Sequence, residues 1–296
     1  MTSYYLLVGA TGLLLTIGLV MVLSSSTVDS LSATGGATPY SIFLNQAKFA
    51  LIGLPFAWLA SRMPVRFYRG VAWPALLGGA TLQLLVFTPL GVEVNGNRNW
   101  LDLQVVQLQP SELLKLALAV WLGAVLATKR HLLHQWLHVV VPAVVVAVAA
   151  VGLVLLGDDL GTALILMLLV AGALFIAGVP LWMFAVAGVL TAIAVVNIAQ
   201  LNDSRVTRIT AFFSPDCDPQ GTCYQTTRGL YALASGGWTG TGLGQSREKW
   251  SYLPEGHNDF IFAIIGEELG FVGAVGLLLL FGLFAYTGMR IARRSA

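Results

Sequence analysis

Charge is what this sequence has least of. Lysine, arginine, aspartate and glutamate make up 10% of its residues, against about 25% in an average soluble domain. The net charge is only +2 and no basic patch stands out, which excludes a nucleic-acid interface built on one. The N-terminus lacks a basic segment and a convincing cleavage site, so the first apolar run reads as a retained helix and not as a signal peptide. Cysteine is scarce as well: Cys217 and Cys223 share one short segment, CDPQGTC.

Apolar residues take the place of charge. They reach 57%, and the mean hydropathy is +0.80. Eight apolar runs, near 5–24, 42–61, 70–90, 110–127, 137–156, 160–178, 181–200 and 260–288, approach or exceed the roughly 20 residues that cross a bilayer as helix. Their number excludes a soluble core. Their length, without strict alternation, excludes a membrane barrel. The expected fold is an all-α polytopic membrane protein of about eight transmembrane helices. It forms one integral domain over residues 1–296, with a large external loop at 201–258.

The few charges set an orientation. Arg62, Arg66 and Arg69 follow the second run, Lys129 and Arg130 the fourth, and Arg290, Arg293 and Arg294 the eighth, whereas the short loops of opposite parity carry only Arg98. The positive-inside rule then predicts cytoplasmic termini and an external 201–258 loop. An oxidising exterior favours a local Cys217–Cys223 disulfide that braces this loop. The Ser/Thr/Gly-rich stretch after the first run reads as a solvated loop. Segment 91–109 reads as a short hairpin or a surface amphipathic segment. TRGLYALASGG reads as a short amphipathic helix ended by glycine, followed by glycine-dense irregular backbone.

On that topology the intramembrane charges gather in the outer half of the bilayer. Lys48 lies about two turns into span two. Glu112 and Lys115 lie in the first turns of span four, three residues apart and able to pair. Asp158 and Asp159 sit at the outer ends of spans five and six, and Asp259 opens span eight. Together they suggest a polar cavity open to the outer leaflet. Several have plainer readings: Glu112 and Lys115 as a structural ion pair, Asp159 as a helix N-cap, Gly266 and Gly270 as a small-xxx-small packing pair. Glu267 and Glu268 are adjacent and so point in different directions, one toward the bundle and the other capping or pairing locally. His257 reads as a loop residue, with no second histidine at ligand spacing. Asp259 stands apart, because a carboxylate at a membrane–water boundary is suited to take a proton from a hydroxyl.

Six segments, in order, carry a resemblance. They are GLVMVLSSS from Gly18, NGNRNWL from Asn95, LQPSELLKLAL from Leu108, DDLGTA from Asp158, RITAFFSP from Arg208 and YLPEGHNDFIFAIIGEELG from Tyr252. Jointly they resemble the SEDS family of bacterial cell-wall glycosyltransferases. The first segment, the cysteine pair and ALASGGWTGTGLGQSREKW look more like its FtsW branch, of an actinobacterial type, than its RodA branch.

The resemblance implies polymerisation of lipid II, an undecaprenyl-diphosphate-linked substrate, at the outer face of the bacterial cytoplasmic membrane, in cell division at the septum. Asp259 matches the family's essential aspartate. Glu112 and Lys115 match its paired residues, Asp159 its aspartate before Leu-Gly-Thr, and Arg208 the arginine that opens the segment after span seven. Asp259 would be the catalytic base. Lys48, Arg98, Lys115 and Arg208 would hold diphosphate charge. A magnesium or manganese ion bridging the diphosphate is compatible with that chemistry, although no sequence motif shows metal ligands. The implied partners are a class B penicillin-binding protein and other divisome proteins. A lipid II flippase and a non-catalytic scaffold that recruits a transpeptidase are the alternatives. Two departures stand out. The usual His-Thr-Asp is here His257-Asn258-Asp259. The family normally has ten spans, whereas eight are read here before Ala296; on that pattern the two further spans would line the same cavity.

Overall fold

A computed structural model describes residues 2–94, 97–102, 104, 107–200, 218, 220–221 and 223–295. Arg208 and Cys217 lie outside the described residues. The helices are α1 (Thr2–Ser25), α2 (Thr27–Ala33), α3 (Ser41–Arg62), α4 (Val65–Leu85), α5 (Pro110–Thr128), α6 (Trp136–Val139), α7 (Val145–Leu155), α8 (Leu160–Ile176), α9 (Leu181–Gln200), α10 (Tyr224–Ser235) and α11 (Ile261–Ser295). Each of the eight expected spans is helical. Among the described residues five stretches are long and apolar enough to cross a membrane: Thr2–Ser25, Ser41–Arg62, Pro110–Thr128, Trp136–Leu155 and Ile261–Arg294. Leu160–Ile176 and Leu181–Ala194 are apolar but shorter. The chain is a multi-pass α-helical membrane protein. Apolar side chains that α3 and α9 turn outward, such as Phe56, Trp58, Leu181 and Val189, suit a lipid surround, where apolar exposure carries no penalty.

The chain divides into two compact units, Met1–Trp58 with Ala199–Ala296, and Leu59–Ile198. In the second, α4 and α5 lie antiparallel. Gly79 makes the approach possible, since a Cβ there would stand 3.2 Å from the Leu114 backbone. Trp73 meets Trp121 edge-on, centroids 5.2 Å apart. Leu114, Leu118, Trp121 and Leu122 of α5 are buried with Val154 of α7 and Leu166 of α8. Segment 91–108 is a hairpin with a third strand added: β1 (Gly91–Val94), β2 (Asn97–Asp102) and β3 (Gln107–Leu108) pair antiparallel in that order.

In the first unit, α1 and α10 pack on α11 around Met21, Ala232, Leu253, Ala263, Ile264 and Ile265. The stretch after span one is not a solvated loop. Its first part is helical α2, and the buried Ser30 accepts the amide of Ile42 at 3.3 Å. Val28 and Leu31, three residues apart, give α2 an apolar side that composition hides.

Helix α11 is broken. Gly270 has φ 68 and ψ −169, a region essentially restricted to glycine. The break frees backbone groups on both sides, and the glycine-dense segment takes them up. The Glu267 and Glu268 carbonyls accept the amides of Thr241 and Gly242 at 2.9 and 3.0 Å. The amides of Phe271 and Val272 donate to the carbonyls of Gly237 and Trp238 at 2.9 and 3.2 Å. Irregular backbone at membrane depth survives only when its polar groups are paired in this way. Of the expected packing pair, Gly266 packs against α10, whereas Gly270 makes the break and lies against loop backbone. A Cβ at Gly266 would stand 2.4 Å from Leu233, and one at Gly270 would stand 2.3 Å from the Gly240 nitrogen. Gly270→Ala is therefore expected to destabilise the first unit by about 1–3 kcal/mol from backbone strain alone. Thermal unfolding in detergent should show a lowered midpoint, and an unchanged midpoint would contradict this account.

Candidate functional site

The polar side chains on α11 look back at the loop that fills its break. Glu267 and Glu268 are both 1% exposed. Adjacent helical positions point about 100° apart, so one was expected to face away from the other's partners. Instead the loop wraps both. Glu267 accepts from the Ser246 hydroxyl at 2.6 Å and the Arg247 amide at 2.9 Å. Glu268 accepts from the Ser24 hydroxyl of α1 at 2.6 and 2.8 Å. Its countercharge is Lys249, whose ammonium lies 3.6 Å from the carboxylate. That ammonium also donates to the carbonyls of Gly244 at 2.6 Å and Ser24 at 3.3 Å. Ser24 in turn accepts the Gly244 amide at 3.0 Å. Two buried carboxylates, one buried lysine and one span-one serine thus fix residues 241–249.

Glu248 lies beside this network, outside the spans. Its carboxyl is held above the usual 4.5 by burial; Arg228 pulls it down and Glu267 pushes it up. Arg228 of α10 approaches at 3.6 Å, and its guanidinium lies 5.2 Å from the rings of both Tyr224 and Tyr252. The second carboxyl oxygen of Glu248 is buried with no hydrogen-bond partner among the described residues.

The segment before α11 is equally constrained. His257 Nδ1 lies 2.8 Å from the carboxylate of Asp29 on α2. Its Nε2 lies 3.2 Å from the Asn258 side-chain amide, which also donates to Glu255 at 2.7 Å. Asp259 follows directly, two residues before α11, and is exposed. Among the described residues it has no hydrogen-bond or ion-pair partner. Among those residues its carboxylate is free, on a backbone whose neighbours are tied down. Lys48 is exposed on α3, its ammonium 4.9 Å from the Phe49 ring centroid. An apolar groove of about 510 Å³ runs between the end of α1, α2 and residues 243–250, lined by Leu23, Val28, Leu31, Leu243 and Trp250, with Lys249 at its edge.

The second unit holds the other expected site residues. Lys115 and Glu112 form the expected ion pair at 2.7 Å, with side chains 20% and 57% exposed. Asp159 is buried and caps α8. It accepts the Thr162 amide at 2.9 Å, the Thr162 hydroxyl at 2.8 Å, Asn99 at 2.8 Å and Gln109 at 3.4 Å. Of its two open readings, the cap is the one its contacts describe. Arg98 donates through its guanidinium to the carbonyls of Val86 and Thr88 at 3.1 and 2.9 Å, just past the end of α4, and its amide donates to Gly157 at 3.1 Å. Cys223 is disulfide-bonded. Among the described residues no three His, Cys, Asp or Glu side chains group as metal ligands.

The sequence matches the cell cycle protein family of FtsW, RodA and SpoVE over residues 5–296. The chain belongs to that family. A Mycobacterium tuberculosis protein named "Probable peptidoglycan glycosyltransferase FtsW" is 44% identical over 299 residues, covering 100% of this chain and 56% of the relative. One of the same name from Halorhodospira halophila is 40% identical, covering 96% and 71%. The chain thus spans little more than half the length of the mycobacterial relative. Among solved structures, the rod shape determining protein RodA of Thermus thermophilus aligns with a TM-score of 0.62 at 28% identity, over 94% of this chain and 71% of that one. A chain from a peptidoglycan synthase complex, described as coordinating polymerization and crosslinking, aligns at 0.64 and 28%, over 90% and 75%.

Asp29, Ser24, Lys249 and Glu248 were not singled out from sequence. Lys249 and Glu248 carry a local signal, because they sit in the REK run just before YLPEGHND. Removing Lys249 by Lys249→Met leaves Glu268 buried without its countercharge, an effect of about 3–5 kcal/mol for such a pair. Hydrogen exchange over residues 241–249 should accelerate, and unchanged protection would count against the network. Glu248 gives a pH test. A carboxyl whose pKa is raised on folding makes the folded state hold the extra proton. Stability from it is full below about 4.5 and is lost as pH rises through the raised value. Glu248→Gln should therefore raise the unfolding midpoint relative to wild type as pH climbs above 4.5, with the gap closing at lower pH. A gap that does not change with pH would refute this.

Proposed function

We propose that this protein is a peptidoglycan glycosyltransferase that polymerises lipid II into glycan strands at the outer face of the bacterial cytoplasmic membrane, in cell division. The observation that carries the reading is the state of Asp259. It is an exposed carboxylate, uncommitted among the described residues, at the entrance of a membrane helix, on a segment held by hydrogen bonds on its N-terminal side and by a buried network on its C-terminal side. A general base needs this combination of free lone pairs and fixed position. Of the other matched carboxylates, Asp159 is spent on capping and Glu112 pairs with Lys115.

In this mechanism Asp259 accepts the proton of the attacking sugar hydroxyl as that oxygen bonds to the anomeric carbon. The lipid diphosphate leaves with the electron pair of the broken bond, an inverting displacement. Lys48, Arg98, Lys115 and Arg208 are the cations proposed to hold the diphosphate charge. Lys48 has its ammonium free of any ion pair among the described residues, whereas Lys115 shares its charge with Glu112 and two Arg98 donors serve backbone carbonyls. The apolar groove beside Lys249 offers a surface suited to a lipid chain. Both termini of the chain are assigned to the cytoplasm by the arginine distribution, and the septum is the proposed location. A class B penicillin-binding protein is the proposed partner, with other divisome proteins. The likeness to a chain from a synthase complex that couples polymerization to crosslinking supports that pairing.

Asp259→Asn should abolish polymerisation, by about a hundredfold or more for the loss of a general base, without lowering the amount of protein in the membrane. Purified wild type and variant, each with the partner, would be given labelled lipid II and their products separated by gel. Full-length polymer from the variant would overturn the assignment. No polymer from wild type, with lipid II crossing vesicle bilayers instead, would favour a flippase.

A further inference from the structure

The geometry assigns Asp29 as a positioning residue for Asp259, acting through the imidazole of His257. The inference rests on the reading of Asp259 as the base. A chain of three hydrogen bonds with fixed directions carries it independently.

The Asn258 side-chain nitrogen lies 2.7 Å from a Glu255 carboxylate oxygen. Only an N–H can face a carboxylate at that distance, which fixes the orientation of the amide. The same nitrogen lies 3.2 Å from His257 Nε2, so its second hydrogen points at the ring and Nε2 must accept. The imidazole is therefore neutral with its proton on Nδ1. Nδ1 lies 2.8 Å from Asp29 Oδ2, and the proton is donated there. From Asp29 to Glu255 each of the three contacts then joins one donor to one acceptor.

This relay does specific work. Asp29 belongs to α2, just after span one, and is half-exposed, whereas the His257 side chain is 16% exposed. A carboxylate that holds one ring nitrogen sets the tautomer and orientation of the ring. Here it also fixes the backbone of 257–258, from which Asp259 projects. Without Asp29 the ring turns freely, Nε2 loses its defined role and the Asn258–Glu255 bond loses its second anchor. Asp259 then samples positions away from the attacking hydroxyl, which lowers the chemical step more than substrate binding.

The test uses the full chain in detergent or lipid discs. Nitrogen-15 labelling of the four histidines, with the His257 signal identified by its loss in His257→Gln, reports the tautomer at a pH of about 8, where an unperturbed imidazole is neutral. Wild type should show the Nδ1–H form. Asp29→Ala should shift it toward Nε2–H, while Asp29→Asn, whose amide oxygen still accepts, should keep Nδ1–H. In the lipid II assay, Asp29→Ala should lower kcat by roughly tenfold with KM little changed, and Asp29→Asn should restore most of it. An Nδ1–H tautomer that persists in Asp29→Ala, or equal kcat values for wild type and Asp29→Ala, would overturn the proposal. If Asp259→Asn itself polymerises, the base assignment falls, yet the tautomer measurement still decides whether Asp29 orients His257.

Discussion

A helix that crosses a membrane cannot simply stop being a helix, because each backbone group released into hydrocarbon costs several kcal/mol. The first unit is organised around one such release at Gly270. The freed carbonyls and amides of α11 require a partner strand of backbone, and the only kind that fits against a helix so closely is nearly side-chain-free. That explains the density of glycine between Gly236 and Gly244. A Cβ at Gly236 or Gly240 would stand 1.9 or 2.1 Å from a carbonyl oxygen of α11. Once the loop lies there, Glu267 and Glu268 have donors within reach, and Lys249 has a charge to neutralise. The position of Asp259 at the other end of the same short helical segment follows from this arrangement.

How far the sequence reveals this depends on the range of the interaction. The spans were legible, because apolar length is a local property and lipid imposes it directly. The cap at Asp159 and the pair Glu112–Lys115 were legible as candidates, since both lie within one helical turn. Helix α2 was misread as a solvated loop, because Ser, Thr and Gly composition outweighed the Val28–Leu31 spacing. The common destination of Glu267 and Glu268 was misread for a different reason. The 100° rule places two side chains on a helix, but it cannot foresee a loop that folds over both. The Asp29–His257 pair spans 228 positions, and no local pattern marks it.

The two units divide the charged residues differently. In Leu59–Ile198 the polar side chains serve secondary structure: Asp159 opens a helix and Arg98 finishes one. In the other unit they serve position, holding a loop and the approach to Asp259 while leaving that carboxylate uncommitted. Side chains matched by motif to one family site thus differ in how much of their bonding capacity is already used. That remaining capacity, more than burial or charge, separates a group able to act on a substrate from one that holds the scaffold.

The Ser24–Glu268 bond joins residues 244 positions apart, and its unit is assembled from Met1–Trp58 and Ala199–Ala296. Synthesis therefore delivers the first half of this unit long before the second. Through that interval Ser24 has no carboxylate to serve. When α11 enters the bilayer, it brings two glutamates: Glu267 has no donor, and Glu268 only Ser24, until residues 241–249 close over them. Insertion of α11 and closure of the loop must then be nearly one event, which makes the order of biogenesis, and not only final stability, a constraint on residues 236–249.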